Sequence, residues 1–139
     1  MTATRSFLDT NVLVYAVDDA DPRKRDVARG LLAGEDVGSL VLSSQVLSEF
    51  YVVATRKLAE PMNEADAAEA VEQLSKLPAV AADKELVRSG IALSREAQLS
   101  FWDGLILAAA AVGGCERVLT EDLADGAEIG GVRIENPFR

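Results

Sequence analysis

Strands that alternate with helices predict a three-layer α/β/α sandwich around a central, mainly parallel sheet. Three observations carry that expectation. Short apolar runs at residues 6–9, 37–44, 117–120 and 132–135 read as strands. The segments between them carry the i, i+3, i+4 apolar spacing of helices. Finally, 49% of the 139 residues are hydrophobic, enough for one independent core. Residues 1–139 read as a single domain, with no internal repeat, low-complexity segment or linker.

The elements follow in order. Residues 6–9 form a short buried strand that feeds a helix over 11–17. DPRKRDVARGLLAG, residues 21–34, opens on a turn-favouring Asp-Pro and spaces Val27 and Leu31 as an amphipathic helix does. VGSLVLSS, residues 37–44, is strand-like, and its closing serines are placed to cap a helix over 45–58 that Pro61 ends. MNEADAAEAVEQLSKL, residues 62–77, is an alanine-rich amphipathic helix stopped by Pro78. A brief strand over 79–82 precedes a helix over 84–98 and another over 101–112, which Gly113 and Gly114 terminate. Strands over 117–120 and 132–135 close the chain around a glycine-marked turn.

Composition excludes several chemistries. Fourteen Lys and Arg against 23 Asp and Glu leave a formal charge of −9, so the basic excess of a broad electrostatic grip on nucleic acid is missing. Bound divalent metals can invert the sign of a local site, so a nucleic-acid substrate stays open. Histidine is absent, which removes Ser-His and Cys-His nucleophile pairs and imidazole-ligated zinc. Any hydrolysis therefore runs on carboxylates, metals and water. The lone Cys115 cannot form an internal disulfide and is expected as a small core residue; a reducing cytoplasm follows as the economical setting. No apolar run approaches the ~20 residues of a membrane span, and MTATRSFLD lacks the long apolar centre of a secretory signal.

Four acids stand out against the apolar pattern. Asp9 falls where the first strand ends, and in parallel α/β sheets ligands bind beyond the carboxyl ends of strands. Glu49 lies between Val46 and Val53 on an otherwise apolar helical stripe. Asp103 stands three and four residues before Ile106 and Leu107, on their side of a helix otherwise free of charge as far as Val112. VLTEDL, residues 118–123, repeats the opening logic of a strand followed by a threonine and acids. Each acid alone has an ordinary explanation as a helix cap or a dipole partner. Four at one edge of a sheet would repel one another, and a hard cation among them is the simplest remedy. Oxygen ligands of this kind suit Mg²⁺ or Mn²⁺.

FLDTNVLVYA at 7–16, the mid-chain Glu49, FWDGLILAAA at 101–110 and LTEDLADG at 119–126, with a closing GGVRIENPF, together resemble a PIN domain. More narrowly they resemble the VapC-type ribonuclease toxins of bacterial toxin–antitoxin pairs. The likeness runs in order along nearly the whole chain and is most specific at Asp9, Asp103 and Asp122. Glu49 is matched mainly by a Ser-Glu in the helix after the second strand. The resemblance implies a three-layer α/β/α sandwich and a metal-dependent endoribonuclease acting on single-stranded or looped RNA, in many relatives a transfer or ribosomal RNA. Asp9, Glu49, Asp103 and Asp122 would be the catalytic, metal-binding acids, holding one or two Mg²⁺ or Mn²⁺ ions. Thr10, Asn11 and Thr120 would support them, with Glu121 a lesser candidate beside Asp122. A cognate antitoxin, a homodimer and a cytoplasmic location are implied too.

Arg23, Lys24, Arg25 and Arg29 form the densest basic cluster and are the candidate contacts to RNA phosphate, with Arg56 and Lys57 at the end of another helix. Tyr15, Phe50, Tyr51, Phe101 and Trp102 are expected in the core or at an interface rather than as base-stacking platforms. Three alternatives compete. A phosphatase of the haloacid-dehalogenase type wants a second acid at position 11, which is Asn, and a late lysine, whereas the last lysine is Lys84. A signalling receiver domain fails the same lysine test. The third keeps the PIN fold without turnover, as a module that binds RNA or protein.

Overall fold

The computed structural model describes residues 4–139, apart from the side chains of Glu35 and Asp36. Its centre is a six-stranded sheet in the order β3-β2-β1-β4-β6-β5. The strands are β1 (Ser6–Leu8), β2 (Leu40–Ser43), β3 (Ala79–Val80), β4 (Arg117–Leu119), β5 (Glu128–Ile129) and β6 (Val132–Glu135). All neighbours pair in parallel except β5, which lies antiparallel to β6 at the edge. Ser6 stands in register with Leu40 on one side and with Arg117 on the other.

Phe7 and Leu8 point to opposite faces of β1, and both are fully buried. The sheet is therefore covered on both sides, as parallel sheets are. One cover is α6 (Phe101–Val112), which packs on β2, β4 and β6 and carries α5 (Lys84–Ala97) on its outer side. Beyond Asp103 the α6 sequence carries no charge, and Gly104 to Ala110 are all buried, as expected of a central helix. Its contact with α5 depends on small residues. A Cβ on Gly104 would lie 2.5 Å from the Gly90 carbonyl oxygen and 2.8 Å from the Ser94 Cβ. The other cover consists of α1 (Thr10–Tyr15), α2 (Pro22–Ala33), α3 (Ser44–Arg56) and α4 (Glu64–Leu74), with α1 touching α2 and α3, and α3 touching α4.

The differences from the expected layout are local. The strand expected over 37–44 begins only at Leu40, because Glu35–Ser39 winds into a 3-10 turn around Gly38. The helix expected over 62–77 is the shorter Glu64–Leu74, capped by the Asn63 side chain on the Asp66 N–H. The two-residue β5 is additional, returning through Gly130 and Gly131, whose φ values of 60° and 81° favour glycine. Phe50 and Cys115 are core residues, and burial pushes the Cys115 thiol up to about 11.

Candidate functional site

The chain builds outward from β1 in both directions: β2 and β3 lie to one side, β4 and β6 to the other. The crevice of such a sheet opens at the carboxyl ends of the strands where the order reverses, here between β1 and β4. Asp9 directly follows β1 and Thr120 directly follows β4. The two ends are fastened by the Asp9 N–H donating to the Leu119 carbonyl at 3.1 Å. Helices that connect parallel strands run back across the sheet, so their first turns lie at this same edge. Gln45 and Glu49 of α3 and Asp103 of α6 are carried there. The far end of α6 sits at the opposite edge, where Arg5, just before β1, donates to the Gly113 carbonyl.

Asp9 is 7% exposed. It caps α1 with extended backbone, and its Oδ1 accepts from the Thr10 N–H at 2.7 Å. Its Oδ2 accepts from the Thr120 hydroxyl at 2.8 Å. Thr120 is wholly buried; its oxygen also accepts from the Asn11 amide at 3.1 Å and from the Asp122 N–H at 3.1 Å. The Asn11 amide donates to Asp122 Oδ2 at 3.0 Å. On the other flank, the Thr10 hydroxyl donates to Glu49 Oε2 at 2.8 Å, and the Gln45 amide donates to Glu49 Oε1 at 2.8 Å. Three acids from β1, α3 and the loop after β4 are thus linked by two threonines and an asparagine.

Electrostatics mark Asp9 as the unusual member. Burial pushes its carboxyl up to about 6, and the like charges of Asp122 and Glu49 push the same way. The hydrogen bonds from Thr120 and Thr10 pull back without cancelling that rise. Among the described residues, no cation compensates it. Two amide oxygens nearby, Asn11 Oδ1 and Gln45 Oε1, are buried with no donor.

Glu121, one residue from Asp122, faces elsewhere. Its Oε2 lies 2.7 Å from the Lys24 ammonium, and the Tyr15 hydroxyl donates to Oε1. Burial alone would raise this carboxyl, but Lys24 and Tyr15 bring it below its ordinary value. Lys24 also stands 4.8 Å from the centre of the Tyr15 ring, which packs edge-on against Phe138. Arg25 bridges to Asp19 and Asp26, and the Arg29 Nε donates to the Ala16 carbonyl. Of the four basic residues expected to meet phosphate, three are engaged within the fold. Arg23 is exposed.

Hydrogen bonds join three of the four acids expected to form one ligand set. The hydrogen bonds that join Asp9, Glu49 and Asp122 do not reach Asp103, whose backbone N–H is taken by the Ser100 cap. Among the described residues, no group of three acidic or thiol side chains is arranged to hold a metal ion. The carboxylates of Asp9, Glu49 and Asp122 are each held by a hydroxyl or an amide. The donor chemistry nevertheless fits a hard cation, since the charged groups are carboxylates and the orphaned atoms are amide oxygens. Gln45 is the contributor that sequence reading missed. Its spacing of four residues before Glu49 on one helix face was the available signal.

A parallel α/β/α domain that gathers acids and hydroxyls at its strand switch point defines the class. Residues 6–124 match the PIN domain family, and the chain belongs to it. Among solved structures, the chain is similar to a toxin–antitoxin complex from Klebsiella pneumoniae, at 21% identity over 95% of this chain and 97% of that one, TM-score 0.68. It is also similar to DNA-bound VapBC from Salmonella typhimurium, at 23% identity over 97% and 99%, TM-score 0.65. A third is Mycobacterium tuberculosis VapC20, a sarcin–ricin loop cleaving toxin, at 19% identity over 84% and 89%, TM-score 0.64. These likenesses carry the fold. No curated protein matches the sequence. No helix among the described residues is long and apolar enough to cross a membrane.

Proposed function

We infer that this PIN domain is an endoribonuclease that works with Mg²⁺ or Mn²⁺ and serves as the VapC-type toxin of a toxin–antitoxin pair. The observation that carries the reading is Asp9, a nearly buried carboxylate raised to about 6, with no cation paired to it among the described residues, at the switch point of the sheet. Structural acids are ordinarily neutralised by the fold; this one is oriented by the Thr120 hydroxyl and the Thr10 N–H and left charged. Asp9, Glu49 and Asp122 would hold one or two ions, with Asp103 joining from the first turn of α6. Such a cation supplies charge to offset that of the phosphate and lowers the pKa of water. The chain's own part is orientation: Thr10 and Thr120 fix Asp9, Asn11 fixes Asp122, and Gln45 with Thr10 fixes Glu49. With no histidine, proton transfers fall to carboxylates and solvent. Hydrolysis by water needs no ribose 2′-OH, so preference for RNA would come from binding.

The test is cleavage of a transfer- or ribosomal-RNA substrate by the purified protein with Mg²⁺ or Mn²⁺. EDTA should stop it, and Asp9→Asn or Asp103→Asn should lack it while folding normally. Cleavage by Asp9→Asn at the wild-type rate would overturn the reading. The alternative is a PIN module that binds RNA without cutting it. RNA retained uncut in the presence of Mn²⁺ would select that alternative.

The solved relatives that are toxin–antitoxin complexes support an antitoxin partner, and a cytoplasmic setting goes with it. Val52, Ile91 and Val112 are large exposed apolar residues available to a partner or a second copy. Co-purification with the product of a neighbouring short reading frame would test the partner. Light scattering at micromolar concentration would test the dimer.

A further inference from the structure

Beside the acids lies a second feature, most of whose lining the cleavage chemistry does not use. An open cleft of about 670 Å³, a volume typical of ligand pockets, begins at Glu49 and is lined by Gln45 and Ser48 of α3 and by Phe101, Trp102 and Leu105 of α6. Its walls are mostly apolar, and neither lysine nor arginine is among its lining residues. Trp102 is 61% exposed, with its ring edge-on to Phe101 at 5.0 Å between centroids. A large aromatic surface in an apolar cleft that ends on a candidate catalytic acid suits a flat, neutral, polar-edged ligand.

We propose that this cleft seats one unpaired nucleobase of the RNA, next to the phosphate presented to Asp9 and Glu49, with Trp102 as its stacking surface. The inference rests on the nuclease reading of the acids. Three observations select a base over other occupants. The absence of cationic lining leaves a phosphate uncompensated there, whereas a base carries no charge. The net charge of −9, with Lys24 and Arg25 tied to internal acids, leaves little backbone attraction, so affinity has to come from another source. Aromatic stacking supplies that in proteins that hold single strands. Finally, the cleft shares Glu49 with the acid network, so a base seated there belongs to the strand being cut. The Ser48 hydroxyl, whose proton goes to the Ser44 carbonyl, leaves its oxygen to accept from the base edge. The seat would make the enzyme prefer unpaired over duplex RNA, because a paired base cannot leave its stack without cost.

Trp102 is the chain's single tryptophan, so its emission reports directly on the cleft. The Asp9→Asn protein with Mg²⁺ is titrated with an unstructured RNA of about ten nucleotides, within the usual range of single-strand sites. The same backbone carrying abasic riboses, inorganic phosphate and an apolar helical peptide serve as comparisons. Saturable quenching by the RNA, absent with the abasic strand and with phosphate, is the expected result. Adding Trp102→Ala should weaken binding about tenfold by anisotropy of end-labelled RNA, the size of one lost stacking contact. Trp102→Phe should retain more affinity, and the salt dependence should not change. RNA bound with unaltered emission, and equally by Trp102→Ala, would overturn the base seat and leave the nuclease reading intact. Quenching by the peptide but not by RNA would also overturn it, assigning the cleft to a protein. If the chain binds and cuts no RNA at all, both inferences fall together.

Discussion

On the α2 side of the loop after β4, the Glu121 carboxylate lies 2.7 Å from the Lys24 ammonium and receives the Tyr15 hydroxyl. One residue further along, Asp122 meets the Asn11 amide, and beyond it Asp9 meets two threonines. The first acid is neutralised; the others are aimed. A cation within the fold cancels a carboxylate and anchors the chain, which is a structural use. Hydroxyls and amides hold a carboxylate in place without cancelling it, and the charge remains available to something from outside. That contrast separates Glu121 from the neighbouring Asp122, although sequence puts them side by side.

The strongest way to break the comparison is Asp9→Asn. Asn keeps the shape and can still accept from the Thr10 N–H, so the fold should persist while RNA cleavage disappears. Stability should change in a pH-dependent direction. The folded carboxyl lies near 6 against an ordinary 3.8, so the folded state binds the proton more tightly. The stability this group contributes is present below about 3.8 and is lost as pH rises through about 6. The loss is up to about 3 kcal/mol, an order-of-magnitude figure. Compared with wild type, metal-free Asp9→Asn should therefore gain stability between those values and level off above them. Parallel urea melts from pH 4 to 8 would show it, and identical pH profiles would end the claim.

Addition of Mg²⁺ or Mn²⁺ should have a similar magnitude. A ligand at about a hundred times its dissociation constant stabilises by about 2.7 kcal/mol when it binds only the native state. The melting temperature of wild type should rise more than that of Asp9→Asn; equal shifts would place the cation elsewhere. Thr120→Val sharpens the comparison from the side of the tethers. It removes one donated and two accepted hydrogen bonds at a fully buried position and should cost about 1–3 kcal/mol. Because that hydroxyl holds the Asp9 carboxyl down, its loss should move the Asp9 titration above 6, readable by carbon NMR of the carboxyl. The smallest effect belongs to Lys24→Met, which unpairs the partly exposed Glu121. It should lower the melting temperature slightly and raise the Glu121 titration, leaving cleavage close to wild type. A large loss of cleavage would show that the Lys24 clamp also positions Asp122.

The layout was readable because period and punctuation agreed. Pro61, Pro78 and the Gly113-Gly114 pair divide the chain where helices end, and the all-apolar run after Asp103 marks the central helix. Residues 37–39 were misread, since Val37 and Gly38 prolong an apolar run that backbone winding interrupts before Leu40. β5 escaped because two residues carry no period of their own; it exists through its pairing with β6. The basic cluster at 23–29 looked available for phosphate. Sequence could not show that Glu121 lies within reach of Lys24, 97 residues away.

Sequence alone determined where strands and helices alternate, most of the core, and that a chain without histidine has Asp9, Glu49, Asp103 and Asp122 as its candidate chemical groups. Those properties are local, set by residue type and spacing. Tertiary structure decided which acids share a hydrogen-bond network, which basic residues are occupied, and that Trp102 stands open in a cleft beside Glu49. Contacts of that kind join β1, α3, α6 and the loop after β4 across long stretches of chain, and no local period encodes a distance between elements. They arise only when the strand order places Asp9 and Thr120 at neighbouring strand ends.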